Sequence, residues 1–328
     1  MSKVVAALAT SHTPMLVVPG EQWGELGARD PENPDLYSAD GRFVSYDDLL
    51  SERSAPAAIR REQWEQQWLQ CQESLDELGR RLRASRPDAV VIVGDDQKEL
   101  FSDALQPTIA VFYGERFEME RLAGHGHPFA QLLRDGYAMS GGRSFAGHPE
   151  LAQAIIEGLM GLDIDVATSR ITPPDGGFGH AYGFVMERLL PGLPIPAVPI
   201  LLNTFYPPNQ PSPQRCIRFG EGLRKAIAAC ELDIRVAVVA SGGLSHFVVN
   251  EPLDRTVLDA ICVGDVGSLV SIPTAELNAG SSEIRNWLTV AAMMSDRPIS
   301  FCHYVPAVRS EAGTGVGIAF VAWDCEEE

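Results

Sequence analysis

Five short stretches carry side chains able to do metal or acid–base chemistry. "TSHTP" holds His12. "GDDQ" holds Asp95, Asp96 and Gln97. "GGFGH" ends on His180, "SGGLSH" ends on His246, and "SSEIRNW" holds Glu283. Imidazoles and carboxylates are the donors that take a divalent ion, and imidazole also exchanges protons near neutral pH. Each stretch has an ordinary structural reading as well. A lone histidine often serves as a hydrogen-bonded structural residue. An aspartate pair after a strand caps a turn, and a glutamate in a first helical turn complements the helix dipole. Their joint placement at the ends of apolar runs points to one polar site.

The elements that must position them alternate. Short β-branched runs at 4–9, 89–93, 108–113, 164–168, 195–202, 234–240 and 317–323 read as buried strands. Helical patterns fill 57–85, 148–161, 212–230 and 282–295, with Ser212–Pro213 as a cap followed by proline at the first helical position. This order predicts an α/β fold, a single mostly parallel sheet covered by helices on both faces, spanning 1–328 as one catalytic domain. Ligands of such sheets gather at the carboxyl ends of strands, where His12, Asp95–Gln97 and His246 fall. The segment 19–56 is long, polar and rich in Pro and Gly, yet carries Trp23, Tyr37, Phe43 and Tyr46. It is expected to pack over one end of the sheet or on a partner subunit.

Composition excludes several classes. Hydrophobic residues make up 45% of the chain and the net charge is −18, so a core can form and no basic surface invites nucleic acid. "RRLR" at 80–83 reads as a solvated helix face. No apolar run reaches the roughly 18 residues that span a bilayer. The N-terminus reads as a first strand rather than a leader. Six scattered cysteines without a CxxC pair suit reduced thiols, and a cytoplasmic location is expected. There is no G-x-S-x-G elbow, phosphate loop, dinucleotide fingerprint or H-E-x-x-H helix.

The stretches "ATSHTPM", "GHPELAQAI", "GFGHAYGFVM", "VPILLNTFYPPNQPSPQRCIRFGEGLRKAI", "ASGGLSH" and "SSEIRNWL" occur in an order that resembles the class III (LigB-like) extradiol ring-cleavage dioxygenases. That family includes the catalytic subunit of protocatechuate 4,5-dioxygenase. The "GEQW…DPENP" excursion and the "DDQ" run look most like the 3-O-methylgallate dioxygenase branch. The resemblance implies an αβα domain holding one non-haem Fe(II), a small aromatic diol and O2 as substrates, and no membrane. By motif, His12 matches the first metal histidine, Glu283 the metal glutamate, His246 the acid/base histidine and His180 a pocket histidine that orients substrate. Asn203 and Thr204, with Asn209 and Gln210, are candidate substrate-binding amides and hydroxyls in a Pro-rich loop. A homodimer is expected, with a small helical second subunit as the alternative.

One position departs from the family. Relatives carry "NDH" after the second strand, where the histidine is the second iron ligand; this chain has "GDDQ". Asp96 takes the histidine position without a gap and Gln97 stands one step away. Asp96 would add negative charge and suit a hard cation, including Mn(II). Gln97 would supply a neutral oxygen, and His125, His127 or His148 could swing in. An empty site would make the protein a non-enzymatic binding member of the family. A metal-dependent hydrolase using the same residues is a third reading.

Overall fold

A computed structural model describes residues 1–52, 59, 61–122 and 128–325. Eleven strands run in chain order: β1 (Lys3–Thr10), β2 (Ala89–Asp95), β3 (Ile109–Phe112), β4 (Arg116–Glu118), β5 (Ser144–Ala146), β6 (Ala167–Ser169), β7 (Ala197–Leu202), β8 (Arg235–Ser241), β9 (His246–Val248), β10 (Ile299–Val308) and β11 (Thr314–Trp323). Nine of them form one sheet in the order β10-β11-β1-β8-β2-β7-β3-β6, with β9 added on β11. β4 and β5 pair separately.

The sheet is α/β and covered on both faces, as the alternating pattern predicts. Its centre is parallel: β1, β8, β2 and β7 run together. The flanks are mixed, since β11 is antiparallel to β1, β9 and β10, and β3 is antiparallel to β7. The β10–β11 pair is a hairpin, and only antiparallel strands can be joined by so short a connection.

Every residue of β2 is buried, and the two-residue period divides them. Val91 and Val93 enter one core; Val90 and Ile92 enter the other. Five helices cover the faces: α1 (Arg61–Ala84), α2 (Pro149–Met160), α3 (Pro213–Ala229), α4 (Glu251–Val263) and α5 (Ile284–Met293). α1 packs Cys71, Leu75, Leu78 and Leu82 on one face. The other four pack on the opposite face, α3 through Cys216, Phe219, Leu223 and Ile227. α1 matches the expected helix at 57–85, of which residues 57, 58 and 60 lie outside the described residues. α4 and β10 had no counterpart in the sequence reading. Their apolar positions are broken by Asp254, Asp259 and His303, and β10 is only half-buried along most of its length.

The segment from Gly20 to Glu52 forms short turns and helices, with Trp23 fully buried and its indole N–H donating to Met15 O and Val18 O. Residues 53–56 of the expected excursion lie outside the described residues. Leu36, Val44 and Leu49 close on Ala312 at the tip of the β10–β11 hairpin.

Asp254 on α4 ties the loop before β9 to the sheet. It is fully buried, accepts the Ser245 N–H and hydroxyl at 2.7 Å each, and accepts Tyr304 Oη at 2.7 Å. Burial raises its pKa from 3.8 to about 6 against the effect of those donors. Its folded-state affinity for a proton therefore exceeds that of the unfolded chain. The resulting stabilisation is full below pH 3.8 and is lost as pH rises through about 6. Asp254→Ala is expected to cost roughly 3 kcal/mol by leaving buried donors unpaired. In urea denaturation, the gap between wild type and variant should be larger at about pH 5 than at about pH 7.5.

Candidate active site

Glu283 sits immediately before α5 and is almost wholly buried. Its Oε2 lies 3.2 Å from His12 Nε2 and accepts the Gly243 N–H at 2.6 Å. Its Oε1 lies 3.3 Å from His246 Nε2 and accepts Gln97 Nε2 at 3.1 Å. The rest of the "EIRNW" motif builds the support. Arg285 is buried and donates to Pro211 O, Thr204 O and Leu277 O. Asn286 Nδ2 bridges Asp95 Oδ1 at 3.1 Å and Ser241 O at 2.9 Å, and the Trp287 indole donates to Gly242 O at 2.6 Å. One helix start thus fixes the ends of β2 and β8 together.

The hydrogen bonds assign the proton on each imidazole. Ser241 Oγ donates its one hydrogen to Ala181 O at 2.7 Å, so at 3.0 Å it must accept from His12 Nδ1. Leu244 O can only accept, so His246 Nδ1 donates to it at 2.9 Å. Glu99 Oε1 faces His180 Nδ1 at 2.9 Å. All three rings therefore spend Nδ1–H on a partner and keep Nε2 for the site, where those of His12 and His246 face Glu283. This is the arrangement by which an outer partner orients a metal-binding histidine.

His12, Asp95, His180 and Glu283 offer ligand atoms that all lie within 4.8 Å of one another. His12 Nε2 is buried without a hydrogen bond, although Glu283 Oε2 is near. Burial and the neighbouring Glu283 push the Asp95 pKa up. Burial would raise Glu283 too, but His246 and His12 outweigh it and hold it well below the carboxylate range. Two carboxylates crowded against an imidazole nitrogen without a hydrogen bond make a donor set that fits a divalent cation. Burial lowers the His180 pKa, yet the Glu99 bond and charge outweigh it and carry it to about 9.

The position of "GDDQ" follows strand parity. Residues 95 and 97 project to one side at the end of β2 and residue 96 to the other. Asp95 joins the cluster, and Gln97 Nε2 braces it, donating to Asp95 Oδ2 at 3.0 Å. Asp96 turns away. Its carboxylate accepts the N–H groups of Lys98, Leu100 and Phe101 at 3.2, 2.7 and 3.2 Å. Burial and the charge of Glu99 raise its pKa to about 7. Of the donors the sequence left open, Asp96 is thus turned out of the cluster, and its neighbour Asp95 lies in it. Gln97 directs its amide N–H, not its carbonyl, at the carboxylates.

Asn203 and Thr204 do not line the cavity over the cluster. Asn203 closes its own loop through Tyr206 and Asn209, and Thr204 is buried beside Arg285. His148 caps α2 by accepting the Leu151 N–H. His125 and His127 lie outside the described residues. Sequence reasoning named Asp95 at the strand end without choosing it as a donor, and it missed Glu99 and Tyr137, whose hydroxyl donates to His12 O at 2.8 Å. Glu99 stands four residues after Asp95 in the same motif, and no signal in the sequence marked Tyr137.

A cavity of about 740 Å³ opens above the cluster, lined by His12, Gln97, Tyr137, His180, His246 and Glu283 among others. No helix among the described residues is long and apolar enough to cross a membrane.

The family model for the catalytic LigB subunit of aromatic ring-opening dioxygenase matches residues 55–321. Gallate dioxygenase of Pseudomonas putida is 31% identical over 163 residues, 45% of this chain and 46% of that protein. A 2,3-dihydroxyphenylpropionate/2,3-dihydroxicinnamic acid 1,2-dioxygenase of Comamonas testosteroni is 29% identical over 160 residues, 49% of this chain and 43% of that protein. Its counterpart in Rhodococcus sp is 35% identical over 97 residues, covering 30% and 29%. Each alignment spans less than half of the relative's length. The family match covers most of the chain and every residue of the cluster except His12, and this protein belongs to the family of catalytic LigB subunits of aromatic ring-opening dioxygenases.

Proposed function

We propose that the protein is a metal-dependent dioxygenase that opens the ring of a small catechol- or gallate-type diol by extradiol cleavage, adding both atoms of O2. The single observation that carries the reading is the His12–Asp95–His180–Glu283 cluster at the floor of a cavity of about 740 Å³. A four-donor set supports an enzyme over a metal-poor binding protein. It also favours a hard first-row ion, Fe(II) first and Mn(II) second.

When bound, the ion would supply open coordination positions for the diol and O2 and would acidify the diol. The chain's own groups do the rest. His12, His180, Asp95 and Glu283 would hold the ion, with His180 standing in for the imidazole absent from "GDDQ". Ser241 and Glu99 aim His12 and His180 through their Nδ1 atoms. Gln97 braces both carboxylates by donating to each. His246 keeps its proton on Nδ1 and presents Nε2 to the cavity, where it accepts the proton of a substrate hydroxyl and later returns it. Tyr137 and the strap from Leu26 to Pro34 wall the cavity and exclude water. The working unit is one domain, in a cytoplasmic homodimer.

Metal analysis of the purified protein should find close to one Fe or Mn per chain. His12→Ala and Glu283→Ala should abolish it, and His180→Ala should lower affinity by at least about tenfold. A His180→Ala variant that keeps full metal and loses only turnover would return His180 to a substrate-orienting role. Anaerobic Fe(II) loading followed by oxygen uptake tests the activity with gallate, 3-O-methylgallate, protocatechuate, 2,3-dihydroxyphenylpropionate and 2-aminophenol. Iron-loaded protein that consumes no oxygen with any of them contradicts the reading.

Gly280 supplies a second test. A Cβ there would lie 1.9 Å from His246 Cδ2 and 2.3 Å from Nε2. Gly280→Ala should therefore displace His246 while leaving the four ligands in place. The expected result is unchanged metal content with kcat lowered by about 100-fold or more.

A further inference from the structure

The strap that roofs the cavity carries one buried charge, Asp30. Asp30 is 2% exposed and accepts Arg309 Nε at 2.9 Å and Nη2 at 2.6 Å. Thr314 Oγ1 also donates to Asp30 Oδ2. Arg309 and Thr314 close the tip of the β10–β11 hairpin: Arg309 N donates to Thr314 O at 2.8 Å, and Ser310 Oγ lies 2.5 Å from Thr314 Oγ1. The surroundings leave no room for drift, since a Cβ on Gly27 would meet Arg309 O at 2.4 Å.

The tip leads directly to the acid/base histidine. Thr314 pairs with Val248, Gly315 with Phe247 and Val316 with His246. Phe247 and Val248 also pack on Leu36, Val44 and Leu49, which follow the strap in the chain. The polar contacts of the strap reach β9 through Thr314, and the apolar contacts of the residues that follow it reach β9 directly. Among the described strands β9 has no other partner, so its register on β11, together with the Ser281 bonds to the His246 backbone, sets where His246 Nε2 stands over Glu283.

We infer that Asp30 is a positioning residue for His246: its ion pair with Arg309 couples closure of the strap over the cavity to placement of the acid/base imidazole. A buried ion pair adds little net stability compared with an apolar pair of the same volume. It does demand one bidentate geometry, which a two-point clamp between strap and hairpin requires. The inference rests on the reading of His246 as the acid/base group.

The test uses the full chain with Fe(II) loaded, comparing wild type with Asp30→Asn and Thr314→Val. Asp30→Asn keeps the shape and removes the charge. Thr314→Val removes one bond of the clamp and keeps the ion pair. The expected result is kcat per metal-loaded molecule lowered by about 10- to 100-fold in Asp30→Asn, less in Thr314→Val, with metal content unchanged in both. Because Asp30→Asn leaves Arg309 buried without a counter-charge, it can fail to fold. Asp30→Leu/Arg309→Met then removes both charges, and the same loss of kcat is expected in it. A purely structural bond would lower yield or thermal midpoint and leave kcat per loaded molecule at the wild-type level, which overturns the inference.

A second readout is independent of turnover. In protein labelled with 15N-histidine, the His246 ring signals, identified by their loss in His246→Gln, should shift in Asp30→Asn while those of His148 stay. An unmoved His246 signal overturns the inference. Wild-type protein that turns over no diol, with the His246 shift present, contradicts the proposed activity and leaves the coupling standing.

Discussion

The site depends on a single buried carboxylate. Taking Glu283 out of water costs several kcal/mol unless its lone pairs are used. Here Gly243 N–H and Gln97 Nε2 bond it, and the Nε2 atoms of His12 and His246 face its two oxygens. Those partners come from the ends of β1, β2 and β8 and the start of β9. Keeping Glu283 solvated by protein alone therefore draws four strand ends to one point. Its own element does the drawing: the start of α5 grips the β8 end through Asn286 and Trp287, and loop carbonyls through Arg285.

The imidazoles explain how such a site keeps its chemistry distinct. Each ring has Nδ1 committed to a different partner: a serine hydroxyl, a backbone carbonyl and a carboxylate. The carboxylate partner outweighs burial at His180 and carries its pKa to about 9. A bound cation inverts that preference, because it competes with the proton for Nε2. The carbonyl partner of His246 carries no charge, which suits the proton uptake and release proposed for it. Two roles for one residue type thus follow from what lies behind each ring.

Much of this was legible in the residues. Each of the seven apolar runs overlaps a strand of the sheet, six of them largely buried and β6 mostly exposed, and the ends of β1 and β8 lead to His12 and His246. Glu283 was readable as a first-turn acid, though its burial was not. At "GDDQ" the two-residue period pairs 95 with 97 and sends 96 to the other side, a distinction that the resemblance, which left Asp96 and Gln97 open, did not draw. Asp96 instead does the turn-capping that an aspartate after a strand ordinarily does. Tyr137 and Asp30 act through contacts distant in sequence, His12 O and Arg309, which no local pattern encodes. Asn203 had the right chemistry but a nearer use, closing its own loop.

The central claim is that the ion sits among His12, Asp95, His180 and Glu283 and that Gln97 braces rather than binds. Anomalous diffraction at the iron edge from Fe(II)-loaded crystals tests it most directly. The account predicts one peak per chain at bonding distance from His12 Nε2, His180 Nε2 and an oxygen of each of Asp95 and Glu283, with the Gln97 amide outside that distance. A peak bonded to Gln97 and remote from His180, or no peak in this cluster, would contradict it.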